Sequence, residues 1–292
     1  MKNNTTLNTI LIFLFCLATT ALTIMAAVYL SKLTGHQLHS FSIWFILPIG
    51  ACFTGLAATS GTYLGGLFLG QKPTVSISIV TVLCALTTKF AIHYIEYRDY
   101  KVDNNFISEY VPFSNYLDIV ITESSSTVRF GHNPKGVDLG KSSFPYLKFS
   151  IHCLGFIFGG LMSLIFLVDK EYCEKCSSYM RNSGVKTFEF KTSEESETFI
   201  NFLHGLDTKS EAFKAQIELK TDLPAIEVGT VAILHSLSIC PKCLKQNIAE
   251  TVSVFNGKNW KAQASLKYNY SLPEQTDVSA TFKGNTTEKK AA

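Results

Sequence analysis

Apolar residues are distributed very unevenly along this chain of 292 residues. Four long apolar runs, at 7–30, 41–68, 75–94 and 149–168, lie in its first part. A helix needs about 20 residues to cross some 30 Å of hydrocarbon, so each run predicts a transmembrane helix. The first is too long for the core of a signal peptide and has no small-x-small cleavage site, so it is read as a retained helix. Bulky Phe15 before Cys16 also argues against a lipoprotein site. Between the third and fourth runs, 95–147 is long for a bare connection and predicts a structured non-cytoplasmic loop. There Phe106, Tyr110, Phe113, Tyr116, Leu117 and Val120 recur every three or four positions, interrupted by Pro112, which predicts a short amphipathic helix. Segments 126–130 and 136–139 flank Gly131–Gly136, whose composition predicts a hairpin turn.

After residue 168 the pattern becomes that of a small soluble fold. Positions 185–191 alternate as a strand, and Thr192-Ser-Glu-Glu195 is a capping box opening a helix through Phe199, Phe202 and Leu203. Ala212, Phe213, Ile217 and Leu219 mark a second helix from near Thr208, and 230–239 reads as a buried strand. Segments 249–255 and 260–270 enclose Asn256-Gly257, a strong hairpin signal. Residues 271–292 are polar and predict a disordered tail. The expected fold is an α-helical polytopic membrane domain over 1–168 with four transmembrane helices, joined to a small α+β soluble domain over 169–270.

Charge sharpens this division. Residues 1–168 carry 10 Lys/Arg and 7 Asp/Glu while 169–292 carry 16 of each, so the net charge of +3 belongs to the apolar half. A soluble part without net positive charge lacks the electrostatic footprint of nucleic-acid binding. Basic residues near the expected helix ends divide almost evenly, which leaves orientation open. Small residues crowd the second run. Gly61/Gly65, Gly66/Gly70 and, in the fourth run, Gly155/Gly159 have the small-xxx-small spacing that lets helices approach closely, within one chain or in a homo-oligomer. Pro48 is positioned to kink the second helix.

Ionisable groups at membrane depth would indicate transport, and the runs hold few. Lys89 lies near the expected end of the third run, where it can snorkel to the interface, with His93 one turn further. His152 and Cys153 open the fourth. His36, His39 and His132 lie in connections, and scattered interface histidines explain this distribution better than a metal site. Cys16, Cys52, Cys84 and Cys153 fall one per run and read as small apolar residues. The stretch 136–142 looks superficially like a phosphate-binding loop, but it has three residues between its glycines instead of four and runs into Phe144-Pro145.

The remaining cysteines carry the chemistry. Cys173-Glu-Lys-Cys176 and Cys240-Pro-Lys-Cys243 are two Cys-x-x-Cys knuckles, and four thiolates can enclose a tetrahedral Zn2+ at Zn–S distances of about 2.3 Å. The 63 residues between them exceed the usual spacing of a compact site, so the insertion must fold as a subdomain of its own. A strand, a Cys-Pro-x-Cys knuckle and a following hairpin resemble the zinc-ribbon proteins, over about 40 of the 292 residues. The likeness extends to bacterial-type multi-pass membrane proteins that carry such a tail. It implies a structural zinc held by Cys173, Cys176, Cys240 and Cys243, and it implies no activity.

Thiolate ligands favour a reducing compartment, so both termini are expected in the cytoplasm, in a bacterial inner membrane. A closed four-thiolate site leaves no water to activate, which points to a docking or assembly module for a protein partner and away from an enzyme. A structural zinc, worth roughly 10–16 kcal/mol in small zinc peptides, is expected to decide whether the tail folds. Two alternatives stand beside this. Either Cys-x-x-Cys pair can serve a membrane thiol-disulfide oxidoreductase, although neither opens a helix in a βαβ setting. A small transporter would depend on Lys89 or His93. His204 and His235 are lone histidines; His235, five residues before Cys240, is placed to support the metal site.

Overall fold

The structure, a computed structural model, describes residues 5–35, 40–42, 47–102, 104–123, 127–128, 137–138, 144–219, 226–273 and 276–283. The chain divides into two compact units, Met1–Asp169 and Lys170–Ala292.

The first unit is a helical bundle of α1 (Thr5–Thr34), α2 (Ile49–Leu69), α3 (Val75–Asp99), α4 (Phe113–Glu123) and α5 (Phe144–Val168). Among the described residues, three helices are long and apolar enough to cross a membrane: Thr6–Thr34, Val75–Asp99 and Pro145–Val168. The second expected span differs. Pro48 does not kink a helix but precedes its first residue, because a proline lacks the N–H that the helix interior needs. The resulting α2 has 21 residues, is rich in glycine and hydroxyl side chains, and is not one of these three. It ends at Gly70, whose left-handed conformation (φ 59°) closes the last turn through a bond to the Gly66 carbonyl.

α2 packs against α1, α5 and α3. The small residues allow this close approach inside one chain. A Cβ on Gly159 would fall on the Cys52 carbonyl, and one on Gly61 on that of Phe15. Hydroxyls reinforce the contacts: Thr19 donates to the Ala58 carbonyl at 2.7 Å, and Thr59 to that of Gly160 at 3.2 Å. The connection after α3 forms two short strands, β1 (Lys101–Val102) and β2 (Asn105–Phe106), then the expected amphipathic helix α4 beginning after Pro112. α4 buries Tyr116 and Ile121. β3 (Thr127–Val128) pairs antiparallel with β4 (Val137–Asp138), while the turn between them lies outside the described residues, as do His36, His39 and His132.

The second unit opens with a small hairpin of β5 (Tyr172–Cys173) and β6 (Ser178–Tyr179). It continues as β7 (Arg181–Phe190), helices α6 (Ser193–Gly205) and α7 (Glu211–Glu218), then β8 (Val231–Ile239), β9 (Gln246–Phe255), β10 (Trp260–Ser271) and α8 (Ser279–Lys283). The four long strands form one antiparallel sheet in the order β10-β9-β8-β7. Thr192 caps α6 by accepting from the Glu195 N–H, and Ser210 caps α7 by accepting from the Phe213 N–H. Phe199, Leu203, Phe213 and Ile217 from these helices meet Phe188, Ile233, Leu237, Ile248 and Val252 of the sheet in a single apolar core.

The chain beyond β10 corrects the expectation of a disordered tail from residue 271. Leu272, Val278 and Phe282 are buried in that core, and α8 packs on β7. A bulge at Asn182/Gly184 makes room for it: a Cβ on Gly184 would lie 2.6 Å from the Phe282 carbonyl. Residues 284–292 lie outside the described residues.

Candidate metal centre

Each Cys-x-x-Cys sits in the turn of a hairpin. The first joins β5 to β6, where the Met180 N–H donates to the Glu171 carbonyl at 2.9 Å. The second joins β8 to β9, where the Cys240 N–H donates to the Lys245 carbonyl at 2.9 Å. The residue after each second cysteine adopts a left-handed backbone, Ser177 at φ 45° and Leu244 at φ 60°. Both turns therefore have a left-handed residue at the equivalent position.

The antiparallel pairing of β7 with β8 sets Arg181 opposite Ile239, so the two knuckles emerge at the same end of the sheet. All four Sγ atoms of Cys173, Cys176, Cys240 and Cys243 lie within 4.8 Å of one another. Cys173 and Cys243, 70 positions apart in sequence, approach to 3.7 Å. Zn–S bonds of about 2.3 Å in a tetrahedron place sulfurs about 3.8 Å apart, so this donor set fits a metal of that kind. Cys173 and Cys240 are buried, whereas Cys176 and Cys243 are half-buried. The thiols differ in acidity. The Lys245 N–H and the neighbouring Cys176 hold Cys243 down at about 7. Hydrogen bonding to Cys243, with burial, pushes Cys176 up to about 12. Lys242 donates across to the Cys176 carbonyl at 3.1 Å, tying one knuckle to the other.

His235 does not face this cluster. Its Nε2 lies 2.9 Å from Glu250, which is 2 % exposed, and His204 Nε2 reaches the other carboxylate oxygen at 3.1 Å. The Tyr270 hydroxyl donates to Glu250 at 3.1 Å. Burial raises the Glu250 carboxyl, but the bonds and charges of His235 and His204 outweigh it, and the net displacement is downward. Tyr268 stacks on the His204 ring at 4.2 Å. The grouping ties α6 to β8, β9 and β10. Neither Glu250 nor its place between two histidines has a local sequence motif, although a register with Ile239 opposite Gln246 places His235 opposite Glu250.

In the first unit, Lys89 is not at a helix end. α3 continues to Asp99, so Lys89 lies near mid-helix, 3 % exposed, with Nζ 4.9 Å from the Phe149 ring centre and 5.7 Å from that of Phe156. Comparison with known proteins returns no matching family model, no matching curated protein and no matching solved structure.

Proposed function

We propose that the chain is an integral membrane protein whose soluble unit is a zinc-ribbon-like module for protein interaction or assembly. In this reading Cys173, Cys176, Cys240 and Cys243 hold one structural Zn2+. The observation that carries it is the convergence of four thiols from two hairpin turns, each followed by a left-handed residue. Bound zinc supplies a charge-neutralising, geometrically fixed centre for four thiolates, and their closed set holds the β5–β6 hairpin to the end of the sheet.

The bilayer reading takes α1, α3 and α5 as spans together with α2. A helix flanked by α1, α3 and α5 need not be apolar all round, so the glycines and hydroxyls of α2 are compatible with crossing. Four crossings put both ends of the bundle's chain on one side, and thiolate ligands favour the cytoplasmic one. The second reading, a thiol-disulfide oxidoreductase, is favoured by the half-buried Cys243 held near 7, where a thiolate is available at neutral pH.

Zinc content and free-thiol count on the purified protein under mild reducing conditions separate the two. About one zinc per chain, with four thiols freed only by chelation, is the expected result. No zinc together with a reversibly formed disulfide in either pair would overturn it in favour of redox chemistry.

A further inference from the structure

Inside the helical unit, α3 carries Lys89, His93 and Glu96 at intervals of four and three residues, which places them on one face. That face is turned inward. Lys89 and His93 are each 3 % exposed, and both carboxylate oxygens of Glu96 are sealed from solvent. Those oxygens accept no hydrogen bond among the described residues, and Glu96 Oε2 lies 3.3 Å from His93 Nδ1. No carboxylate of the described residues lies within ion-pair distance of Lys89, whose ammonium group rests against two aromatic rings of α5. A buried acid, a buried imidazole and a buried ammonium at membrane depth are costly to keep without a use.

The groups facing this stripe limit what it can bind. α5 contributes Cys153 beside Lys89 and His152, whose Nε2 lies 3.1 Å from Ser42; α4 contributes Tyr116. Tyr116 is pushed up to about 12, by burial first and then by the Glu96 charge. A metal cation would meet two ligands and be repelled by Lys89. An anion at Lys89 would be repelled by Glu96. A proton needs no more than these two groups, because His93 and Glu96 can share it across 3.3 Å, and repulsion from Lys89 only loosens its hold. A cavity of 750 Å³ at the end of α3 lies beside the pair without reaching it: Tyr94, Tyr97, Arg98 and Phe113 line it, His93 and Glu96 do not, and the Tyr97 and Phe113 rings both pack against Tyr116.

We propose that the His93–Glu96 pair is a proton-binding site beside this cavity, with Lys89 as the fixed cation one turn deeper that sets how tightly the proton is held. Hydronium at the site gives up the proton and is left as water; the proton comes to lie between Glu96 Oε2 and His93 Nδ1 and raises the charge of the bundle interior by one. The inference rests on the membrane reading above.

The test is pH-dependent infrared difference spectroscopy on the full chain in lipid nanodiscs, following the C=O stretch of a protonated carboxyl. The expected band is lost in E96Q, and its midpoint moves by roughly tenfold or more in proton concentration in H93Q, because a charge within about 4–6 Å shifts a carboxyl by about 1–3 pH units. K89M keeps an apolar stem between Phe149 and Phe156 and moves the midpoint to lower proton concentration even if E96Q fails to fold. A band unaffected by E96Q, or a midpoint unmoved in both H93Q and K89M, overturns the site. Release of the chain from membranes by alkaline carbonate overturns the membrane reading, and this inference with it; an integral chain with an unmoved band overturns the proton site alone.

Discussion

Replacing Cys240 with serine removes one thiol from the cluster, and how far the damage spreads depends on where the unit keeps its core. Cys240 is fully buried, but it packs with Cys173 and Met180 in a cluster separate from the main one. The main core, from Phe188 to Phe282, contains none of the four cysteines. A small zinc peptide has no such second source of stability and loses all roughly 10–16 kcal/mol of its folding energy with the metal. Here a metal on the four thiols would act chiefly as a cross-link between positions 70 apart, and closing a loop of that size in the unfolded chain is worth about 4 kcal/mol. Cys240→Ser is therefore expected to cost about 4 kcal/mol and to leave the four-stranded sheet folded.

Hydrogen exchange on the full chain in detergent, with zinc, with a chelator and in the variant, reads this directly. The amides of Met180, Cys240 and Leu244, which bond to the Glu171, Lys245 and Cys240 carbonyls, should lose protection in the last two samples. The amides of Phe188, Ile233 and Val252 in the sheet should keep theirs. Loss of protection across the whole sheet would refute the separation of core from clamp, and equal protection in all three samples would refute a metal between the knuckles.

Other consequences are as specific. Gly159→Leu, whose Cβ would meet the Cys52 carbonyl, should destabilise the bundle by about 1–3 kcal/mol and lower its melting temperature in lipid; an unchanged temperature contradicts the close α2–α5 packing. Phe282→Ala should cost about 3–5 kcal/mol in urea unfolding of the second unit, since this ring is 1 % exposed; a cost typical of a surface site, within about 0.5 kcal/mol, would mean that α8 is not part of the core. Glu250 has a folded carboxyl displaced below its ordinary 4.5, so it adds stability that is present above 4.5 and lost as pH falls through the folded value. Glu250→Gln should flatten that acid loss in a circular-dichroism titration, and an identical acid slope would count against the His204–Glu250–His235 tie.

Much of the second unit is legible in the sequence because its signals are local. Thr192 caps the helix its capping box predicts, and Asn256 turns the hairpin predicted at 256–257 by accepting from the Lys258 and Asn259 N–H groups. Signals that depend on pairing are harder to read. Asn182 and Gly184 carry a bulge that no local pattern marks, and without it α8 has no place to dock, so Val278 and Phe282 look like parts of a polar tail. In the bundle, hydropathy finds the spans, but it cannot tell whether a charge at the edge of a run lies at a helix end. Lys89 reads as an interface residue only if α3 stops near 94, and the helix continues through Glu96 because Ile92, His93 and Tyr97 are buried along the same inward face.

The metal site shows the same division between composition and conformation. Two Cys-x-x-Cys pairs announce four thiols, but not that they meet. What brings them together is the β7–β8 pairing, and each pair is followed by a left-handed residue for which sequence offers no cue, because the positions hold Ser177 and Leu244 instead of glycine or asparagine. A non-glycine residue held there costs of order 1–3 kcal/mol and persists where the surroundings impose it. Hairpin turns commonly place a residue there, usually glycine or asparagine. Two turns that hold other residues there at equivalent positions, with their sulfurs at the separation a tetrahedral ion requires, are better explained by one centre holding both than by either hairpin alone.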